Sequence, residues 1–68
     1  MDYSPKNLIH QIEQKGYRLK RINGSHHIYF HNELRKTVVV PVHGNKDIPK
    51  GTFLSILKQA GISKDELK

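Results

Sequence analysis

Apolar positions along this chain change period several times, and each change marks an element. Ser4-Pro5 predicts a helix start, with serine at N-cap and proline at the first helical position. Leu8, Ile9 and Ile12 then fall on one helical face, and Gly16 stands where a helix closes on a left-handed residue. A helix is expected over residues 5–15. From Tyr17 to Ile22 the pattern alternates, with Tyr17 and Leu19 on one side and Arg18 and Lys20 on the other, as in a half-buried strand. Asn23-Gly24 is a strong hairpin signal, because a type I′ turn needs positive φ at both central residues. "SHHIYFH" reads as a second strand and "NELR" as a turn. The β-branched run "KTVVVPV" reads as a third strand, ended at Pro41 or shortly after. "HGNKD" is a loop, and Ile48-Pro49 leads into a second helix. There Phe53, Ile56, Leu57 and Ala60 share one face, with Gly61 as the left-handed terminator. Ser63 and Glu66 have capping-box spacing and predict one more helical turn.

The order is therefore α-β-β-β-α, an α+β fold in one domain spanning residues 1–68. A three-stranded antiparallel sheet would carry both helices on one face and leave the other open. The double-stranded-RNA-binding domain has this architecture. Placing Asn23-Gly24 at the turn sets a register in which Ile22 faces Ser25, Arg21 faces His26 and Lys20 faces His27. Leu19 then faces Ile28, and Tyr17 faces Phe30. Cross-strand neighbours share a sheet face. The expected core face holds Tyr17, Leu19, Ile28 and Phe30, with Arg21 and His26 at its outer end. The expected open face holds Arg18, Lys20, His27, Tyr29 and His31. That face is basic and aromatic, suited to phosphate contact and base stacking, although an ordinary solvated sheet face has the same composition. A one-residue slip exchanges His26 and His27 between faces. The residues alone place both histidines near the candidate site without choosing between them.

Charge sharpens the picture. The 68 residues carry 12 Lys and Arg against 6 Asp and Glu, a net charge of +6, which favours a nucleic acid or an acidic protein as partner. Cysteine is absent, so neither a disulfide nor a thiolate zinc site is possible. No run approaches the length needed to span a bilayer, and "MDYSPKNLIH" lacks a basic n-region and a long apolar h-region. The chain reads as soluble and cytoplasmic, with no membrane partner.

Histidine takes and gives protons near neutral pH. RNA brings its own nucleophile, the 2′-OH, so its cleavage needs a base, an acid and a cation at the phosphate, but no metal. His26 next to Arg21, with Lys20 nearby and Ser25 to hold a phosphate or orient an imidazole, has that composition. Adjacent strand histidines point to opposite faces, which argues against both binding one metal. His43 lies in a loop, and His10 and His31 are expected at the surface. With no HExxH spacing, no phosphate-cradling glycine loop and no Gly-x-Ser-x-Gly elbow, neither a metal nor a cofactor is expected.

"GSHHIYF", "TVVVPVHGNKDIPKGT" and "ILKQAGIS", in this order, closely resemble the HicA family of toxin messenger-RNA interferases, and "KGYRLKRI" fits as well. The resemblance covers nearly the whole chain. It implies a fold like the double-stranded-RNA-binding domain. It also implies a small toxin that cleaves messenger RNA and blocks translation, encoded beside a HicB-family antitoxin that covers its active site. The family's catalytic histidine lies in the Gly-Ser-His stretch, and the matching position is His26, with His27 the second choice. Gly24 and Ser25 match the flanking motif, Asn23 and Gly24 supporting the site as its turn. Lys20, Arg21, Ser25, Arg18 and Tyr29 are the expected RNA contacts.

Overall fold

In the computed structural model, residues 2–63 are described, and the helical turn expected between Ser63 and Glu66 lies beyond them after Ser63. The elements are α1 (Pro5–Gln14), β1 (Arg18–Asn23), β2 (His26–His31), β3 (Lys36–Pro41) and α2 (Lys50–Gln59). The sheet is antiparallel in the order β1-β2-β3, and the fold is the α+β, open-sheet architecture of the double-stranded-RNA-binding domain.

The helix ends follow from local chemistry. Ser4 Oγ accepts the N–H of Asn7 at 3.1 Å, satisfying a donor the helix itself leaves unpaired, and Pro5 takes the first helical position. Both helices close with the same Schellman arrangement. Gly16 (φ 112°) donates to Glu13 O while Tyr17 donates to Ile12 O. Gly61 (φ 81°) donates to Lys58 O while Ile62 donates to Leu57 O. In each case the residue after the glycine is apolar and buried, so the cap also drives the chain back into the core.

That core lies between the helices and one sheet face. Leu8, Ile12, Phe53, Ile56, Leu57 and Ala60 from the helices meet Tyr17, Tyr29, Val38 and Val40 from the sheet. Each fully buried Val, Leu or Ile side chain contributes roughly 1.5–3 kcal/mol. Tyr17 ties three elements together. Its hydroxyl donates to Ala60 O at 3.2 Å, and its ring meets that of His31 edge-on at 5.1 Å. A second aromatic pair, Tyr3 and Phe53 at 5.2 Å, closes the other end.

The β1–β2 turn lies one residue further along than expected, which shifts the cross-strand partners by two positions. Asn23 pairs with His26, so Gly24-Ser25 is the two-residue loop. Gly24 has φ 60° and Ser25 does not lie in the left-handed region, the sign pattern of a type II′ turn. Further on, a bulge at Lys20 shifts the pairing, so that Leu19 lies opposite Tyr29 and Arg18 opposite Phe30. The face assignment of β2 is corrected too, because the helices pack on the face of Tyr29, Val38 and Val40. Tyr29 is 4% exposed and belongs to the core face, whereas Ile28 and Phe30 lie on the open face. Tyr17 is in the core as expected, because the bulge restores its phase. Leu19 is not, being 47% exposed on an edge strand that the helices leave uncovered.

Gly16 should be intolerant of a side chain. A Cβ there would sit 2.6 Å from His31 Nε2 on a backbone of φ 112°. Gly16→Ala is expected to lose about 1–3 kcal/mol, read from the urea midpoint. Alkaline stability gives a second check. Burial raises the Tyr17 phenol above the usual 10.0, and burial with the Glu13 charge raises Tyr29. Folding therefore favours the neutral phenols. Their contribution is complete below the unfolded pKa and is lost as pH rises through the folded values, so unfolding free energy should fall above about pH 10. Tyr17→Phe should flatten that decline.

Candidate functional site

The open face is built by alternation. Facing away from the helices are His26, Ile28 and Phe30 of β2, with their β3 partners Pro41, Val39 and Thr37. β1 adds Asn23 opposite His26 and Arg21 opposite Ile28. Arg21 is thus a diagonal neighbour of His26 on one face rather than its direct partner. The bulge turns Lys20 onto this face as well, and its Nζ lies 5.3 Å from the centroid of the Phe30 ring, a cation–π contact. Neither the Arg21 nor the His26 side chain makes a hydrogen bond or ion pair among the described residues, so both are available to a ligand.

His26 also lines an open cleft of about 460 Å³ at the rim of the sheet. Thr37, Val39 and Pro41 form one side, and Gly51, Thr52, Ser55, Ile56 and Gln59 of α2 form the other. The cleft mixes an exposed imidazole with hydroxyls, an amide and apolar floor atoms. Thr52, Ser55 and Gln59 were not among the residues singled out from the sequence. Their signal was present as a polar stripe at i, i+3 and i+7 beside the buried face of α2.

The other expected site residues are distributed differently. His27 is on the helix face, opposite Ile22 and Val40, and its Nδ1 is buried with no hydrogen-bond partner among the described residues. The two adjacent histidines are therefore not brought together. Tyr29 is buried and offers no ring to a base, so on this face Phe30 stands in the position expected of it. Arg18 Nη1 donates to Glu13 O at 3.1 Å and to Tyr17 O at 2.8 Å, which holds its guanidinium near the C-terminus of α1. That is a helix-capping position for a cation. Ser25 is half-buried in the turn, its carbonyl accepting Val42 N–H at 2.7 Å.

His31, expected at the surface, is instead half-buried and structural. Its Nδ1 accepts Leu34 N–H at 3.1 Å and its Nε2 lies 3.1 Å from Lys15 O. A backbone N–H can only donate and a carbonyl can only accept, so the ring carries its proton on Nε2. His10 and His43 are exposed. No group of three His, Asp or Glu side chains converges among the described residues.

The fold and this face define a class: a small basic α+β protein with an open sheet, a lone exposed histidine at its turn and cations beside it. The family model for the HicA toxin of bacterial toxin-antitoxin systems matches residues 5–62, and the chain belongs to that family. The family implies a cognate antitoxin as partner. No curated protein matches the chain. No helix among the described residues is long and apolar enough to cross a membrane.

The His31 assignment is directly checkable. Long-range ¹H–¹⁵N spectra at neutral pH should show His31 as the Nε2–H tautomer, with Nδ1 unprotonated. His31→Ala should lower the unfolding midpoint without changing the open face.

Proposed function

We propose that this toxin is an endoribonuclease that cleaves messenger RNA in the cytoplasm and so blocks translation, with His26 as the proton-transferring residue. A HicB-family antitoxin would hold it in check. The observation that carries the reading is the placement of His26: exposed, its side chain without a polar partner among the described residues, on one face with Arg21 and Lys20, and opening into a cleft.

The chemistry is a transesterification. The 2′-OH loses its proton to a base, O2′ attacks phosphorus, and the P–O5′ bond breaks as the 5′ oxygen takes up a proton. The products are a 2′,3′-cyclic phosphate and a 5′-OH end, and no oxidant or metal enters the balance. His26 moves one of the two protons. Arg21 opposes charge on the phosphorane oxygens, and Lys20 and Ser25 contact neighbouring phosphates. Phe30, with Lys20 against it, is the stacking surface for an unpaired base, the role first expected of Tyr29.

A second reading is a binding module of the same fold with no chemistry. One observation favours it: His27, the obvious second proton carrier, lies on the opposite face from His26.

Incubation with a long unstructured RNA in EDTA separates the two. Cleavage is expected from wild type, falling by roughly 10²–10⁴-fold in His26→Ala with its fold and RNA affinity intact. His27→Ala is expected to lower stability and leave cleavage per folded molecule unchanged. Undiminished cleavage by His26→Ala would falsify the assignment. Salt-dependent binding without cleavage by wild type would establish the binding module.

A further inference from the structure

The cleft beside His26 has a second property, and it lies in the backbone. Ser25 and Val42 stand directly opposite each other, because His26 pairs with Pro41, and Val42 N–H donates to Ser25 O at 2.7 Å. In an antiparallel ladder, hydrogen-bonded and non-hydrogen-bonded pairs alternate. The groups of Val40, Val38 and Lys36 therefore point at β2. The N–H and C=O of Val39 and Thr37, and the C=O of Pro41, point away from the sheet. Pro41, which has no N–H to give, stands at a position where the ladder asks for none. These three outward residues are the ones that line the cleft. Its sheet side is thus the unpaired rim of an edge strand, with one wall supplied by α2.

A bare edge strand is a template for another strand. Here several features shape it for one kind of occupant. Val39 is 42% exposed and, with Ile56, supplies apolar contact for alternate side chains of an added strand. Thr52, Ser55 and Gln59 offer polar partners along the wall. Tyr17 Oη holds the carbonyl of Ala60, so the end of α2 lies at the end of the sheet where β1 starts and β3 begins. α2 consequently runs antiparallel to β3. Lys36, at the head of β3, and Lys50, at the head of α2, then mark opposite ends of the groove. Both are exposed and without a polar partner among the described residues. Against a chain of net charge +6, the complementary strand is acidic.

We infer that the cognate antitoxin inserts an extended acidic segment beside β3, pairing with Thr37 and Val39 as a fourth strand and covering His26. The strand-pairing part rests on membership in a toxin-antitoxin family, and its inhibitory consequence rests on the role of His26 given above. Main-chain pairing supplies affinity in such an arrangement, and alternate side chains supply specificity.

Amide hydrogen exchange of ¹⁵N-labelled toxin, alone and with its cognate antitoxin, tests this without RNA. In the free toxin the Thr37 and Val39 amides should exchange quickly, while Val38 and Val40 are protected. Binding should slow Thr37 and Val39 by at least about tenfold. Val39→Pro removes an outward N–H that the sheet does not use. It should fold, by circular dichroism and urea titration, and bind antitoxin at least about tenfold more weakly. Antitoxin binding that leaves both amides exchanging at the free rate overturns the inference, and so does absence of binding. Protection by a single-stranded RNA oligonucleotide but not by antitoxin assigns the groove to nucleic acid and overturns it too. Loss of RNA cleavage as a general property would sink the ribonuclease reading while leaving the exchange result untouched.

Discussion

The side chains of β1 take their faces from its pairing with β2, and two backbone features set that pairing. Gly24 at φ 60° places the turn at Gly24-Ser25. The bulge at Lys20 then lets one strand satisfy two incompatible demands. Tyr17 must reach the core to bond Ala60 O and meet His31, while Arg21 and Asn23 must share a face with His26. Without the extra residue, the alternation that puts Asn23 and Arg21 outside would put Tyr17 outside as well. The bulge also delivers Lys20 to the open face, against Phe30.

This division lets a small protein hold together and still present a reactive surface. One face of the sheet is given to Tyr29, Val38 and Val40 under the helices. Even there, polar rings are used structurally: His31 links the end of α1 to the β2–β3 turn through both ring nitrogens. The other face keeps the Arg21 and His26 side chains unpaired among the described residues. An unpaired guanidinium such as that of Arg21 on an exposed face does little for folding, but it attracts a polyanion.

The element order was legible because its signals are local. Ser4-Pro5, Gly16 and Gly61 each act within a few residues of themselves, and the alternation and helical stripes need no knowledge of the partner. The faces of β2 were not legible. Asn-Gly and Gly-Ser both make two-residue hairpin loops, of types I′ and II′, and exchanging them shifts partners by two and leaves the two faces of β2 as they were, so the turn does not say which face is buried. The sequence pattern could not rank them, since "HHIYFH" carries a ring or an aliphatic group at every position after its histidines. The bulge left no mark either, because Lys20 is an ordinary strand-edge residue until Tyr17 has to be buried. His31 was read as a surface residue for a similar reason. Its partners, Lys15 O and Leu34 N–H, are backbone groups that only the fold brings to it.

By itself, then, the sequence determined the number and order of elements, the antiparallel sheet with its two helices, the basic charge and the stretch that holds the candidate histidine. Each of these depends on interactions within a turn or a helix, or on composition. Tertiary structure decided that His26 rather than His27 faces outward, that Phe30 rather than Tyr29 is available to a base, and that α2 and the rim of β3 enclose a cleft. The physical reason is common to all three. A strand has a period of two, so its side chains are assigned by whichever face the helices bury, and that is a choice made by packing over the whole chain.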